Sequence, residues 1–418
     1  MASSLNLQRN SEVFFSTVDL YNGGAVTSMT PANTWKLEVL AGFAATSSSA
    51  VQDITSMESG LNPDRSQQHY NTAINPVDWN LQVYMRPTGA ISTTAGAGSS
   101  STSNVKPIAD WFMWQALISN TKVASAATEQ SVWENGGKLR SVNVASTANS
   151  SSSRSNFASA QENHLYMSLD NVIYQVTNAI VDQATVDAGI QAIATTTWTG
   201  KGTFIRELIG TVRDNAASVF GAVLANGTYY AGNANTYAMT AAASYQPFAT
   251  MNVASALSTN SFIKNRLSSI VFTHTPQGGT ANTYTFPVTA LTLDYANNTQ
   301  YLTPEELANL NAPIGQFAGT RAVKGTATMY LRSGDSDSAQ FLRNITTDSR
   351  TNFAQFASAN LQIGGNTTPY VQFTLPAVQF DFPQLAVNDI ISVSVNFVAQ
   401  EPFATQGTGG ELTITAVK

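Results

Sequence analysis

The three histidines of this chain are the residues best suited to bind a metal ion, but their spacing argues against a metal site. His69, His164 and His274 are spread over the whole chain, and neither an HxH nor an HxxxH pattern occurs. The sequence contains no cysteine, which excludes a thiolate site and a disulfide framework. We therefore expect no metal ion.

A run of small and acidic residues, Gly334–Ser338 (GDSDS), suggests two further kinds of site. An esterase nucleophile of this type would lie near the start of the chain, with an Asp–His pair near the end, and neither is present. A calcium loop beginning at Asp335 would need glycine at its sixth position and glutamate at its twelfth, which are Gln340 and Thr346. A cap at the start of a helix is the better interpretation. Gly200–Thr203 (GKGT) lacks the frame of a phosphate-binding loop and indicates a turn that ends a strand.

Paired carboxylates occur at Asp182/Asp187 and at Glu305/Glu306. A glycosidase needs two carboxylates on either side of a cleft, and nothing in the sequence places either pair in that way. The chain also lacks the G-x-S-x-G pattern of a hydrolase nucleophile. We expect no enzymatic activity and no cofactor, with a carbohydrate-active enzyme as the least favoured alternative.

The amino-acid composition is typical of a subunit whose surface is covered by neighbouring subunits. Charged residues make up only 11% of the 418 residues, and Ser, Thr, Asn, Gln, Ala and 27 Gly take their place. The net charge of -6 argues against a basic face that binds nucleic acid, although it allows a channel through which DNA slides. The lack of cysteine fits assembly in a reducing cytoplasm. No leader and no long apolar run is evident, so we expect a soluble protein made in the cytosol, with no membrane partner.

The chain alternates strands with long polar segments. Strands are predicted at Asn10–Thr17, at Trp35–Phe43 and around Trp79, where apolar and polar residues alternate. The polar segment Ser47–Ala73 predicts an extended hairpin arm. A helix with an apolar side is predicted after Pro107.

Two stretches resemble one another and indicate an internal duplication. Leu165–Gly200 and Val371–Pro402 each predict an antiparallel pair of strands. In this alignment Tyr174 matches Phe380, and Asp187 matches Asp389.

The elements between these stretches repeat in the same order: strand, arm, strand, helix and strand pair. The second arm is Tyr301–Lys324. We predict a mainly β protein with two tandem units of sandwich or barrel type, each with a flanking helix and a long extended arm. The predicted division is unit 1 at 1–200, a partly helical connector at 201–260, unit 2 at 261–402, and a C-terminal extension with a short strand at 403–418. The helical part of the connector is predicted from the spacing of apolar residues over Thr203–Ala225, which begins with Phe204 and Leu208.

Several phrases of the sequence resemble the tail tube proteins of tailed bacteriophages. NLQRNSEVFFSTVD, NTWKLEVLAGF, NPVDWNLQVYMRP and VDQATVDAGIQAIATTTWTGKGT resemble one tube unit. IKNRLSSIVFT, the arm with GTATMYLR, and VNDIISVSVNFVAQEP resemble a second. The resemblance implies that six units form a ring, that rings stack into the tube through which DNA leaves the capsid, and that inner strands line the lumen.

A doubled chain would then build a trimeric ring with pseudo-sixfold symmetry, or a hexamer with an additional layer. The implied partners are copies of the chain itself, sheath, baseplate and tail terminator proteins, and viral DNA that passes without sequence-specific binding. Asp187 and Asp389 are the candidate lumen-facing residues. The implied location is the virion tail, assembled in the bacterial host cytoplasm. Another β-rich virion component, such as a tail fibre, baseplate or capsid decoration protein, is the main alternative.

Overall fold

A computed structural model gives the architecture of this chain. It describes residues 11–19, 34–54, 68–87, 108–118, 133–134, 138–140, 163–169, 172–190, 192–207, 228–231, 235–238, 263, 265–274, 281–303, 313, 315–317, 319–334, 337–348, 357–365, 369–381, 384–386, 390–402 and 410–417.

The described elements of the first half are mostly strands. They are β1 (Ser11–Ser16), β2 (Thr34–Leu37), β3 (Ala44–Thr46), β4 (Ser49–Ile54), β5 (Gln68–Ile74), β6 (Val77–Tyr84), helix α1 (Trp111–Ile118), β7 (Trp133–Glu134), β8 (Lys138–Arg140), β9 (Asn163–Leu169), β10 (Val172–Gly189), β11 (Thr195–Gly202) and β12 (Phe204–Glu207). A separate hairpin follows, with strands β13 (Thr228–Ala231) and β14 (Asn235–Ala238).

The second half contains a short 3-10 helix, further strands and one longer helix. They are the 3-10 helix Asn265–Leu267, β15 (Ser269–His274), β16 (Asn282–Ala296), β17 (Gln300–Leu302), β18 (Gly315–Phe317), β19 (Ala322–Tyr330), helix α2 (Ser338–Asp348), β20 (Ala357–Gly364), β21 (Tyr370–Phe380), β22 (Gln384–Ala386), β23 (Ser392–Ala399) and β24 (Thr413–Val417). The mainly β prediction is confirmed.

Each half closes into a barrel of six paired segments. In the second half the pairs run from β15 through β16, β19, β23, β21 and β20 back to β15. In the first half they run from β1 through the segment that holds β2 and β3, then through β6, β11, β10 and β9 back to β1. All of these pairs are antiparallel, and closure gives each of the six segments a neighbouring segment on both sides, although β2 and β3 each pair on one side only.

The accessory elements of the two barrels also correspond. Strand β12 adds to β10 as β24 adds to β21. The arm hairpin of β4 and β5 stands between β3 and β6, and the hairpin of β17 and β18 stands between β16 and β19. Helices α1 and α2 both follow the strand after the arm. The described residues of both arms form hairpins, and residues 413–417 near the C-terminus form strand β24.

In the described structure, two strand pairs join the two halves of the chain. Strand β8 pairs with β24, and a longer pair joins the barrels themselves. The second part of β10 pairs with β16 of the other half, from Gln183 opposite Ala296 to Gly189 opposite Ala290. A continuous sheet therefore runs through β3, β6, β11, β10, β16, β19 and β23 and ends at β22. We call it the joined sheet.

The core lies behind the joined sheet, where one face of each strand packs on the helices and outer strands. Strand β6 buries Trp79, Leu81 and Val83, and its intervening side chains face away from the core. Helix α1 is buried from Phe112 to Ile118 because both halves of the chain cover it. The ring of Trp114, for example, lies 4.9 Å from that of Trp198 in the first half and 5.7 Å from that of Phe373 in the second.

Two expectations need correction. Residues 204–207 form strand β12, because they pair with β10, and do not begin the helix predicted in the connector. The rest of that segment up to residue 225 lies outside the described residues. The alignment of Tyr174 with Phe380 is also wrong, because the counterpart of β9 is β20, and the strand pairings place Tyr174 with Phe373. None of the described helices has the length and apolar character required to cross a membrane.

Candidate assembly surfaces

The residues that could support chemistry are scattered over the described structure. His164 and His274 are buried in different halves, and His69 lies on the arm strand β5. The Nδ1 atom of His164 lies 3.2 Å from Nε2 of Gln175. Burial lowers the pKa of His164, and the nearby Asp19 carboxylate partly opposes this effect. No group of three or more potential metal ligands occurs among the described residues.

The acidic candidates have structural roles where they are described. An Oδ1 atom of Asp182 accepts the amide hydrogen of Thr299 and so fixes the chain next to the second arm. Helix α2 starts directly after Asp337, whose carbonyl oxygen accepts the amide hydrogen of Phe341 at 3.0 Å. The helix-cap interpretation of the GDSDS run agrees with this contact. Glu305 and Glu306 lie outside the described residues.

The face of the joined sheet that points away from the core is polar, and we call it the open face. Along every strand, successive side chains point alternately to this face and to the core, as in any β-strand. The open face carries threonine, serine, asparagine and glutamine with few charges: Asp78, Asn80, Gln82, Tyr84, Gln183, Thr185, Asp187, Thr195, Thr197, Thr199, Lys201, Thr292, Asp294, Lys324, Thr326, Thr328, Tyr330, Ser392, Ser394 and Asn396.

The charges of the open face nearly cancel. Asp78 and Lys201 form an ion pair of 3.3 Å, and Asp294 stands opposite Lys324 in the strand register. Asp187 is exposed, and its register partners are Thr195 and Thr292.

Sequence reasoning singled out only Asp187 on this face. The other four charged residues could have been found from the alternation in β6, β11, β16 and β19, once it was known which set of alternate residues faces the core. Asp389 lies outside the described residues. The strand register places Ala386, not Asp389, in the position that corresponds to Asp187, because Ser392 and Thr195 occupy equivalent places opposite Tyr330 and Tyr84.

Two strand edges of the joined sheet have no described partner. Strand β3 pairs with β6 on one side only, and β22 pairs with β23 on one side only. Both are largely exposed, and Leu385 at the centre of β22 is 59% exposed. An exposed strand edge presents unpaired amide and carbonyl groups and favours pairing with another chain.

The two ends of the joined sheet differ from each other. Both arms leave from the same end, since β6 and β19 begin next to them. The arms expose Val51, Tyr70, Leu302 and Phe317. The opposite end carries two turns, between β10 and β11 and between β22 and β23, which expose isoleucines: Ile190, Ile193, Ile390 and Ile391. Each end thus presents large apolar side chains to solvent.

A buried carboxyl group underlies the first half of the sheet. Asp110 directly precedes α1 and accepts a hydrogen bond from Nε1 of Trp198 at 3.0 Å through Oδ2. Its Oδ1 atom has no hydrogen-bond partner among the described residues. Burial raises the pKa of Asp110 to about 6, while the Trp198 hydrogen bond, its own backbone and Arg86 oppose the increase.

Paired barrels, an open polar sheet face and two sheet edges without a described partner are typical of a subunit that assembles with other chains. Comparison with known proteins also indicates a structural protein. No family model matches the chain. The tail tube protein pb6 of Escherichia phage T5 is 23% identical over 418 residues, which cover 95% of this chain and 73% of that protein.

The chain is therefore similar to a phage tail tube protein, and this similarity confirms the resemblance carried by the sequence phrases. The role that it supports is a structural one in the tail tube of a bacteriophage virion.

Proposed function

We propose that this protein assembles into rings that stack to form the phage tail tube, the conduit through which DNA leaves the capsid. The joined sheet is the observation that carries the proposal. It offers a continuous wall with a polar open face, and its two free edges are placed for pairing with further copies. The relationship to a tail tube protein supports the same reading.

The chain is proposed to be a tandem duplication. Every strand pair of the first barrel has a counterpart in the second, and the arms and helices occupy equivalent places. The two barrels lie side by side in one sheet through the β10–β16 pair, and not one behind the other. This arrangement favours a trimeric ring with pseudo-sixfold symmetry over a hexamer with an additional layer.

The two ends of the joined sheet support stacking of such rings. Rings that stack in the same direction bring the arm end of one ring against the turn end of the next. The exposed side chains of the arms would then pack on the exposed isoleucines of the turns. Burial of apolar surface contributes roughly 25 cal/mol per Å², so several such side chains per chain give a substantial contact.

The open face is proposed to line the lumen, with Asp187 among its residues. Its few charges are largely balanced, and no row of basic side chains is present among its described residues. A surface of this kind neither holds DNA phosphates nor reads bases, so the duplex can slide. The proposed site of action is the virion tail, after assembly in the host cytoplasm, with sheath, baseplate and terminator proteins as further partners.

Electron microscopy of the purified full chain tests the proposal. We expect rings or tubes of uniform bore, and a view along the axis should show three copies and six similar lobes. A chain that stays monomeric at high concentration would overturn the proposal. Trimers that never stack would favour another virion component instead, and six copies per ring would overturn the trimeric arrangement.

A further inference from the structure

We infer that β22 of one copy pairs antiparallel with β3 of the next copy, with Gln384 opposite Thr46 and Ala386 opposite Ala44. This inference rests on the proposed ring and specifies the contact that closes it. The partner is a second copy of this chain, because the same contact already exists once inside each chain. We call the internal contact, β10 with β16, the filled seam.

The filled seam has a defined register. Thr185 lies opposite Asp294, Val186 opposite Leu293, and Asp187 opposite Thr292. The side chains of Val186 and Leu293 face the core and are 0% and 2% exposed. The remaining side chains of this segment alternate onto the open face.

One side of the filled seam corresponds to β22. In the first half Val181 pairs with Gly200, which pairs with Trp79. In the second half Phe380 pairs with Phe397, which pairs with Gly325. Counting onward along the strand from these equivalent positions places Gln384, Leu385 and Ala386 where the first half has Thr185, Val186 and Asp187.

The other side of the filled seam corresponds to β3. Strand β19 pairs with β16 so that Lys324 lies opposite Asp294. Strand β6 pairs with β3 so that Asp78, the counterpart of Lys324, lies opposite Thr46. Ala44, Ala45 and Thr46 therefore take the places of Thr292, Leu293 and Asp294, and the register between copies follows.

The exposure of Leu385, which lies on the core-facing side of β22, identifies the strand edge that has no described partner within the chain. Leu385 is 59% exposed, whereas its counterpart Val186 is 0% exposed. Both belong to the phase of the sheet that faces the core, since Leu385 pairs with buried Val393. The difference arises because β16 and its barrel cover Val186, while no described element covers Leu385. A next copy placed by the repeat would cover it through β3 and the first barrel.

The contact joins two different surfaces, so it repeats head to tail and must close into a ring or grow without end. Within one chain, the filled seam sets the angle between the first barrel and the second. If the contact between copies has the same geometry, three copies complete the six positions of the proposed ring.

Engineered cysteines test the register directly, because the natural chain contains none. Residues opposite each other in an antiparallel ladder have Cα atoms about 4.5–5.5 Å apart, which a disulfide spans. We expect the full chain carrying Gln384→Cys and Thr46→Cys, assembled and then oxidised, to run as a covalent trimer on a non-reducing gel. Either single variant should give at most dimers.

A matched control places the same pair in the filled seam, as Thr185→Cys with Asp294→Cys. This pair should form a disulfide within one chain and leave the apparent mass unchanged. Rings seen by microscopy without a Gln384–Thr46 crosslink, while the control pair reacts, would overturn this register and leave the proposed function standing. Crosslinking through Gln384→Cys with Ala44→Cys in preference would also overturn it. A chain that forms no rings, although the control pair reacts, overturns the proposed function itself.

Discussion

The two halves of the chain share one set of strand pairs, yet they differ in what covers them. The first barrel is covered by the second through the filled seam, so Val186 and helix α1 are buried. The second barrel has no such neighbour in the described structure, and its equivalent strand leaves Leu385 exposed. The same strand position is thus buried in one half and exposed in the other, and in the proposed ring a second copy of the chain would cover it.

The two barrels also differ in which strand carries the glycine of a glycine–aromatic pair in the core. In the first half the bulky side chain of Trp79 on β6 lies over Gly200 on β11. In the second half the glycine is Gly325 on β19, and the bulky side chain is Phe397 on β23. Each barrel therefore pairs one glycine with one large aromatic residue, but the strand that carries the glycine differs between the two halves. The fold requires a fixed side-chain volume between these two strands, whichever strand supplies it.

The largest expected effect separates Val186 from Leu385. Val186→Asp should unfold the protein or cost more than about 3 kcal/mol of unfolding free energy, because it buries an unpaired charge. Leu385→Asp should change the stability of the isolated chain by no more than about 0.5 kcal/mol, since solvent reaches this side chain. The same variant should form no rings. Chemical denaturation and electron microscopy measure the two properties.

The control for this comparison is Leu385→Met, which keeps an apolar side chain of similar volume. It should assemble like the natural chain. If Leu385→Asp forms normal rings, the inferred contact of β22 with β3 is wrong. A large loss of stability in the isolated Leu385→Asp chain would show that the residue acts within one copy.

A smaller effect is expected at the two glycines. Gly200→Ala and Gly325→Ala should each destabilise the fold by roughly 1–3 kcal/mol, because an added Cβ overlaps the facing aromatic ring. Phe397→Leu should relieve part of the cost of Gly325→Ala. Trp79→Leu should relieve less of the cost of Gly200→Ala, because that Cβ meets the backbone oxygen of Ile180 much more closely than the Cβ at Gly325 meets the backbone oxygen of Thr292, which is 2.9 Å away.

Double-mutant cycles in chemical denaturation measure this relief. Gly189→Ala is the control, because its added Cβ has only the Cβ of Ala192 near it, at 3.9 Å. Equal relief at both sites would contradict the role assigned to the backbone oxygen of Ile180.

Much of the fold could be predicted from alternation and element order. The phase of β6 is evident because large apolar residues recur at every second position, and the arms are evident because they lack such residues. The strand over residues 204–207 was missed because its pairing with β10 determines its structure. Four residues are too few to show the alternation typical of a strand, and the apolar residues in this segment recur at helical spacing.

The assembly surfaces were harder to predict, because they depend on register. Aligning Asp187 with Asp389 uses residue identity, whereas the ladder places Ala386 at that position. A bulge interrupts β10 between Val181 and Gln183, and such irregularities cannot be read from the sequence. Leu385 is one apolar residue among many in the sequence, and only its exposure distinguishes it.

A moderate, pH-dependent effect is expected at the buried carboxyl group before α1. The pKa of Asp110 in the folded protein, about 6, lies above the ordinary value of 3.8. The folded state therefore binds this proton more tightly, and its stabilising effect is complete at low pH and is lost as the pH rises through about 6. A change of this size corresponds to roughly 3 kcal/mol.

The variant Asp110→Asn keeps a cap for α1 but carries no charge at any pH. The unfolding free energy of the natural chain minus that of this variant should fall by roughly 2 kcal/mol between pH 4 and pH 7, and by roughly 3 kcal/mol if the series starts near pH 2. Denaturation at a series of pH values measures the difference. Asp337→Asn is the control, because Asp337 stands at the same place before α2 and is only partly buried. A pH-independent difference for Asp110→Asn would contradict the assignment.

The smallest effect on the fold is expected at Asp187, whose counterpart in the second half is the uncharged Ala386. Asp187→Lys should leave stability within about 0.5 kcal/mol and should leave assembly intact, because the side chain is exposed. Tubes of this variant should nevertheless retain duplex DNA, since each ring now presents additional positive charges to the lumen, and the retention should weaken as salt increases. Asp53→Lys on β4 makes the same change of charge on an arm, away from the open face. Co-sedimentation of tubes with DNA at low and high salt measures both variants, and equal retention by the two would show that the open face does not line the lumen.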